Sequence, residues 1–247
     1  MKTLLISDMH SCIKALEALE QAEKTWDQII CLGDMVDFGM NPHEVIEWCK
    51  KHKVIAVAGN HDRELPARAA KKAPLEDPMT ATTLGDYNLS KVTAEDIEYL
   101  NSLPDKLMLE IDGGLYCFFH VYDERNMHIA KKAFIEHNAS ELFDRMWSEL
   151  ADDAKYDGKR YIVNGHTHQL TYAAVDGKRA FINPGSLFYR VLKDGPVTTG
   201  GDYFIIQDGV ISARHVDYDN SEAKAVFDAL PLNEGNRNIG TWFFGKE

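Results

Sequence analysis

The chain has 247 residues, 45% hydrophobic and 27% charged, with a formal net charge of −12. That composition suits a globular protein able to bury a full core without disulfides or a structural metal. The acidic balance excludes long nucleic acids and anionic membranes as expected partners, because both reward a basic surface. Cys12, Cys31, Cys49 and Cys117 form no Cys-x-x-Cys pair, which points to a reducing compartment. The opening run MKTLLISD is too short for a signal peptide. No stretch approaches the roughly 20 apolar residues of a membrane span, so the cytoplasm is the expected location.

The first third alternates strand and helix. Thr3 to Ser7 reads as a strand ending at Asp8, and Ser11 to Lys24 as a helix with Ile13, Leu16 and Leu19 at helical spacing. Gln28 to Leu32 is the next strand, Pro42 opens a second helix, and Val54 to Ala58 is a third strand. Strands separated by helices argue for βαβ units and a parallel sheet. Glu64 to Asp105 is polar and carries Pro66, Pro74, Pro78 and Pro104, so it reads as an insertion or cap. Within it, Thr93 to Asp96 has the form of a capping box at a helix start.

Leu107 to Ile111 and Leu115 to Phe119 predict a hairpin around Asp112, Gly113 and Gly114. One helix is expected over 126–154, with Phe134, Leu142, Phe143, Met146 and Leu150 on its apolar side. Tyr161 to Val163 is a strand ending at Asn164. Two hairpins follow, turning at Asp176-Gly177 and at Asp208-Gly209, and 220–230 reads as a last helix. In the tail, Trp242, Phe243 and Phe244 are too apolar to stay free, and are expected to dock on the body or on a second subunit of a homo-oligomer. The chain is expected to form a single domain over 1–247, with cap-like insertions around 63–105 and 122–158.

The predicted strands end in one kind of chemistry: Asp8-Met9-His10, Gly33-Asp34, Gly59-Asn60-His61, His120, and Gly165-His166-Thr167-His168. In open α/β sheets ligands bind at the carboxyl ends of strands, so these distant residues are expected to converge. Carboxylates, imidazoles and an Asn carbonyl form a nitrogen and oxygen donor set without thiolate. That set favours Mn²⁺ first, with Fe, Zn²⁺, Co²⁺ or Ni²⁺ as the other choices. Two such ions about 3.5–4 Å apart form a clamp for in-line displacement at phosphorus, with a bridging water acidified toward hydroxide. His43, His52, His128, His137 and His215 lack this context and read as surface or helix-face residues.

The blocks Asp8-x-His10, Gly33-Asp34-x-x-Asp37, Gly59-Asn60-His61-Asp62, His120 and Gly165-His166-Thr167-His168 resemble the calcineurin-like metallophosphoesterase superfamily. Asn183-Pro184-Gly185-Ser186 follows, as in its small bacterial and archaeal phosphodiesterase branch. The resemblance implies an α/β fold of four layers, an αββα sandwich of two facing mixed β-sheets flanked by helices. It implies that Asp8, His10 and His168 bind one metal, that Asn60, His120 and His166 bind a second, and that Asp34 bridges them. His61 would contact the phosphate beside Asn60 and protonate the leaving oxygen, held by Asp37, while Asp62 would cap a loop. Arg190 is a further candidate for reaching phosphate, with Arg63 and Arg125 weaker ones of the same kind.

Two positions depart from the family pattern. Phe118-Phe119-His120-Val121 is bulky where the family has small residues, and Leu187-Phe188-Tyr189-Arg190 follows the serine of the last block. These departures bear on substrate fit, and the activity the resemblance implies is hydrolysis of a small phosphodiester or nucleotide, with a phosphomonoesterase as the alternative. The latter includes protein serine/threonine phosphatases and dinucleoside polyphosphate hydrolases. Phe38 stands where protein phosphatases of the superfamily carry an arginine, which tilts the reading toward diesters. A catalytically silent scaffold is the remaining reading of another class. It is disfavoured by the intact ligand set and His61.

Overall fold

A computed structural model describes residues 1–71, 81–122, 129–151, 155–192, 195–197 and 199–244. Strand β1 (Lys2–Ile6) leads into helix α1 (Ile13–Ala22), strand β2 (Gln28–Cys31), helix α2 (Pro42–Lys51) and strand β3 (Ile55–Ala56). β1 pairs in parallel with β2, and β2 with β3. Helices α3 (Asn60–Lys71), α4 (Leu84–Lys91) and α5 (Ala94–Ser102) follow. The hairpin of β4 (Lys106–Ile111) and β5 (Gly114–Phe119) precedes α6 (Ile129–Ile135), α7 (Ala139–Leu150) and β6 (Lys159–Asn164). Next come β7 (Leu170–Ala174), β8 (Arg179–Pro184), β9 (Arg190–Leu192), β10 (Gly195–Val197), β11 (Gly200–Gln207) and β12 (Val210–Asp217). Helices α8 (Ser221–Ala229) and α9 (Glu234–Phe244) complete the described order.

These strands make two mixed five-stranded sheets, ordered β12-β11-β1-β2-β3 and β4-β5-β6-β8-β7, beside a two-stranded β9–β10 ribbon. Residue alternation explains how they stack. In β1, Leu5 faces a core shared with Tyr116, Phe118, Val163 and Ile182 of the second sheet, while Leu4 and Ile6 face the helices. In β5, Tyr116 and Phe118 face that shared core, whereas Cys117 and Phe119 meet Phe143, Met146 and Trp147 of α7. Both faces of each central strand are buried, which is why these strands read as continuous apolar runs. The result is the four-layer αββα sandwich the family resemblance implied.

The capping box is present. Thr93 Oγ1 accepts from Asp96 N, and Asp96 Oδ2 accepts from Thr93 N at 2.8 Å. Other expectations change. The helix anticipated over 126–154 is two helices among its described residues, broken where His137 adopts φ +59°. Residues 126–128 and 152–154 of that expectation lie outside the described residues, as do Pro74, Pro78, Arg125 and His128. Helix α3 runs through Pro66, although a proline there gives up one backbone hydrogen bond. Helix α4 carries no helical apolar period because its buried face includes Asp86 and Asn88 beside Leu84, Tyr87 and Leu89. The tail folds as α9 and docks on the body through Phe243 and Phe244, while Trp242 stays 61% exposed. The four cysteines are buried and free. Among the described residues no helix is long and apolar enough to cross a membrane.

Candidate metal centre

Parallel pairing puts the carboxyl ends of β1, β2 and β3 side by side, and those of β5 and β6 side by side in the facing sheet. Asp8 and His10 follow β1, Asp34 follows β2, Asn60 follows β3, His120 follows β5, and His166 and His168 follow β6. The loops are laced together by their backbones. Asp8 N donates to Gly33 O, His10 N to Asp34 O and Ser11 N to Met35 O, at 2.8–3.0 Å.

The seven predicted ligands meet in two overlapping groups. Donor atoms of Asp8, His10, Asp34 and His168 all lie within 4.8 Å of one another, and so do those of Asp34, His120 and His166. Asp34 belongs to both. Asn60 joins the second group through its Oδ1, 3.0 Å from His166 Nδ1. Within the first, His168 Nε2 is 3.0 Å from Asp8 Oδ1 and 3.2 Å from His10 Nε2. His120 Nε2 is 3.0 Å from Asp34 Oδ2.

The orientation of the rings tests whether cations fit. His120 Nδ1 donates to Leu32 O at 2.6 Å and His10 Nδ1 to Val36 O at 3.2 Å. A carbonyl can only accept, so it fixes the proton on Nδ1 and leaves the Nε2 lone pair facing the carboxylates. Nε2 of His120 and of His166 are buried without an aligned hydrogen bond to any described residue. Buried polar atoms are ordinarily paired, so these inward lone pairs fit a metal ion. His168 Nδ1 meets the hydroxyl of Tyr189.

Backbone strain marks the same place. Asp8, His10, Asp34, His166 and His168 all have φ between 43° and 69°, and Asp37 and Phe38 have φ 71° and 61°. Such conformations cost about 1–3 kcal/mol each away from glycine and persist only where the surroundings enforce them. Gly33 turns at φ +92°. The glycines before Asn60 and His166 serve close approach instead. A Cβ on Gly59 would stand 2.0 Å from Asp34 Oδ1, and one on Gly165 2.3 Å from Ser7 Oγ.

His61 lies beside the cluster. Its Nδ1 is 3.0 Å from Asp37 Oδ2, and its backbone N donates to Asp34 Oδ1. Burial disfavours its charge, but the Asp37 hydrogen bond and the Asp34 carboxylate outweigh that and lift its pKa to about 9. Burial likewise opposes charge on His120, yet Asp34 raises it to about 10. Asp62 is fully buried and accepts from Met35 N and Gly59 N at 2.9 Å, tying two ligand loops together as a capping residue. Burial, reinforced by Asp34, pushes its pKa up to about 6.

Two predicted residues are not gathered here. Arg63 donates to Leu103 O and Asp105 Oδ1 at 2.6 Å, anchoring the end of α5. Arg190 Nε donates to Asp202 Oδ1 at 2.8 Å. The Arg63 guanidinium thus lies on protein partners, and Arg190 gives its Nε to Asp202. His43 pairs with Asp96, His52 with Glu20, and His215 lies exposed on β12.

Two contributors, Asn88 and Tyr189, carry no sequence signal of their own, and the Asn183–Ser186 block adds a further support. Asn88 of α4 is fully buried; its Oδ1 accepts from Ser11 Oγ at 2.6 Å and Asp37 N at 3.0 Å, and its Nδ2 donates to Gly39 O. Tyr189 orients His168. Ser186 Oγ donates to Asp8 O at 2.8 Å, and Asn183 Nδ2 to Gly165 O at 2.7 Å, so the last block clamps the ligand loops.

Residues 1–200 match the model of the calcineurin-like phosphoesterase superfamily domain. The chain belongs to that superfamily. It is similar to an uncharacterised protein of Methanocaldococcus jannaschii, 26% identical over 251 residues that cover 94% of this chain and 95% of that protein. A crystal structure of a metallophosphoesterase from Sphaerobacter thermophilus shares the fold at 22% identity and a TM-score of 0.68, covering 98% of this chain and 99% of that one. A hypothetical protein of Pyrococcus horikoshii does so at 17% identity and a TM-score of 0.69, covering 100% and 99%. Superfamily membership implies divalent metal ions, and the two donor groups are where this chain could hold them.

Proposed function

We propose that this chain is a phosphodiesterase that hydrolyses small phosphodiesters or nucleotides with two divalent ions, Mn²⁺ first among them. The observation that carries this reading is Asp34, shared by two donor groups whose imidazole nitrogens converge on buried carboxylates. Asp8, His10 and His168 would hold one ion, Asn60, His120 and His166 the other, and Asp34 would join both. Two dications there supply Lewis acidity toward a phosphoryl oxygen and acidify a water. Asn60 and His61 would contact the phosphate. With Nδ1 given to Asp37, His61 keeps Nε2 for the leaving oxygen, to which it passes a proton as general acid. We read 1–247 as one domain, with 63–105 and 122–158 as its insertions.

Charge supports a diester over a monoester. A monoester carries up to one more negative charge at its phosphoryl group and rewards a guanidinium. Here Phe38 stands beside His61, with ring centroids 4.5 Å apart, and Arg63 and Arg190 are paired elsewhere. The test is hydrolysis of an aryl phosphodiester and the matching monoester, side by side, by metal-stripped protein refilled with Mn²⁺. Faster turnover of the diester is expected. Turnover of the monoester alone would replace this reading with a phosphatase. Silence on both with metal bound would favour a binding scaffold.

A further inference from the structure

The superfamily match ends at residue 200, yet the last helix returns to the metal centre. Two contacts fix the start of α9 on the start of α4: Leu84 N donates to Asn236 Oδ1 at 2.9 Å, and Asn233 N to Thr82 O at 3.1 Å. Farther along, Gly240 lies against Phe227 of α8 so closely that a Cβ there would stand 1.9 Å from the ring. Phe244 stacks on the same Phe227 at 4.9 Å. This seating turns Phe243 inward, where it is 6% exposed.

The Phe243 ring stacks on Phe38 at 4.3 Å and 23°, and on Phe188 at 5.5 Å and 18°. Phe38 lies 4.5 Å from the His61 ring and 4.8 Å from the His10 ring. Its chain neighbour Asp37 holds His61 Nδ1. Both Asp37 and Phe38 sit in the left-handed region, which a side chain adopts only when packing enforces it. The Phe188–Tyr189 side is tied to Ser186 Oγ by two backbone donors, at 3.1 and 3.3 Å. On the other side Asp37 N donates to Asn88 Oδ1 at 3.0 Å and Phe38 N to Asp37 Oδ1 at 2.8 Å, while the Phe38 ring itself is held by stacking.

We propose that Phe243 is a positioning residue: by stacking on Phe38 it holds the Asp37–His61 pair aimed at the leaving group. The proposal rests on the reading of His61 as general acid given above. Phe243 would touch no substrate and no metal. Its loss would leave the ions in place while spoiling the delivery of a proton. A misplacement of about 1 Å at such a group can cost about 100-fold in rate.

The test uses the full-length, Mn²⁺-loaded chain and a series of aryl phosphodiesters of rising leaving-group basicity. Phe243→Ala should lower kcat about 10- to 100-fold on the unactivated phenyl ester, with little change in KM. The loss should shrink toward wild-type rates on the dinitrophenyl ester, whose leaving oxygen needs no proton. Metal content should stay unchanged. Phe243→Leu, which keeps most of the volume, should recover most of the rate, and the exposed neighbour variant Trp242→Ala should match wild type. A loss equal across all leaving groups, a loss that tracks missing Mn²⁺, or no loss in Phe243→Ala would overturn the proposal while leaving the phosphodiesterase reading intact. Wild-type protein silent on every ester would overturn that reading and this inference with it.

Discussion

The two ends of the β-sandwich use the same unusual backbone for different reasons. At one end, Asp112 and Asp208 take φ 47° and 53° in hairpin turns, each followed by a glycine with positive φ. The demand is local, and an Asp-Gly pair meets it. At the other end Asp8, His10, Asp34, His166 and His168 take similar φ values with no hairpin to require them. There the backbone is held by distant segments: His10 N on Asp34 O, Leu187 N on Ser7 O, Asn88 on Ser11 and Asp37. Strain supported from far along the chain marks the chemical end, and strain resolved by the next residue marks the plain one.

The sharpest break of this comparison is Asp34→Asn. It removes the charge common to both donor groups, and should cost more than the roughly 10²–10⁴-fold expected for loss of a general acid. Metal analysis should show depleted ions. Next comes His61→Ala, expected to lose about 10²–10⁴-fold in kcat while metal content stays at the wild-type level. If the His61 variant lost its ions, the division between ligands and acid would be wrong.

Smaller effects probe the supports. Asn88→Ala strands Ser11 Oγ, Asp37 N and Gly39 O in a buried site, and should destabilise by about 2–3 kcal/mol in denaturant titration, with activity falling too. Asp96 is a buried carboxylate supported both by its own capping box and by α2. Burial works against its charge, but Thr93, His43 and Lys50 hold its pKa below the usual 3.8. Its contribution is therefore present above pH 3.8 and lost as pH falls through the lower folded value. Asp96→Ala should cost about 1–2 kcal/mol at neutral pH, with the gap to wild type closing in acid. Gly209→Ala, where the nearest atom to a new Cβ is 3.6 Å away, should cost only about 1 kcal/mol through its positive φ and leave hydrolysis untouched. A large loss of activity there would mean the two ends are not separate.

The same contrast explains what was legible in the sequence. The hairpins turn where Asp-Gly pairs stand, and the two candidate donor groups assemble at strand ends that already carried Asp, His and Asn. Asp37 meets His61, and Asp62 caps, as the motif blocks implied. The bracing was hidden. Asn88 sits in a helix whose polar buried face erases the 3.6-residue period, and Tyr189 acts through one hydroxyl. Phe243 reads as a tail aromatic until the fold lays it on Phe38. The ion pairs of Arg63 with Asp105 and of Arg190 with Asp202 carry no signal in the sequence. The break at His137 carries no turn signature strong enough to place it, whereas the β9–β10 ribbon has an Asp194-Gly195 pair of its own.

The central claim is that Asp34 joins two ion sites that work together in hydrolysis. Titrating metal-stripped protein with Mn²⁺ while following both bound metal and aryl phosphodiester turnover tests it most directly. The account predicts saturation at about two ions per chain, with full turnover appearing only as the second binds. Full turnover with a single ion bound, or turnover that survives complete chelation, would contradict it.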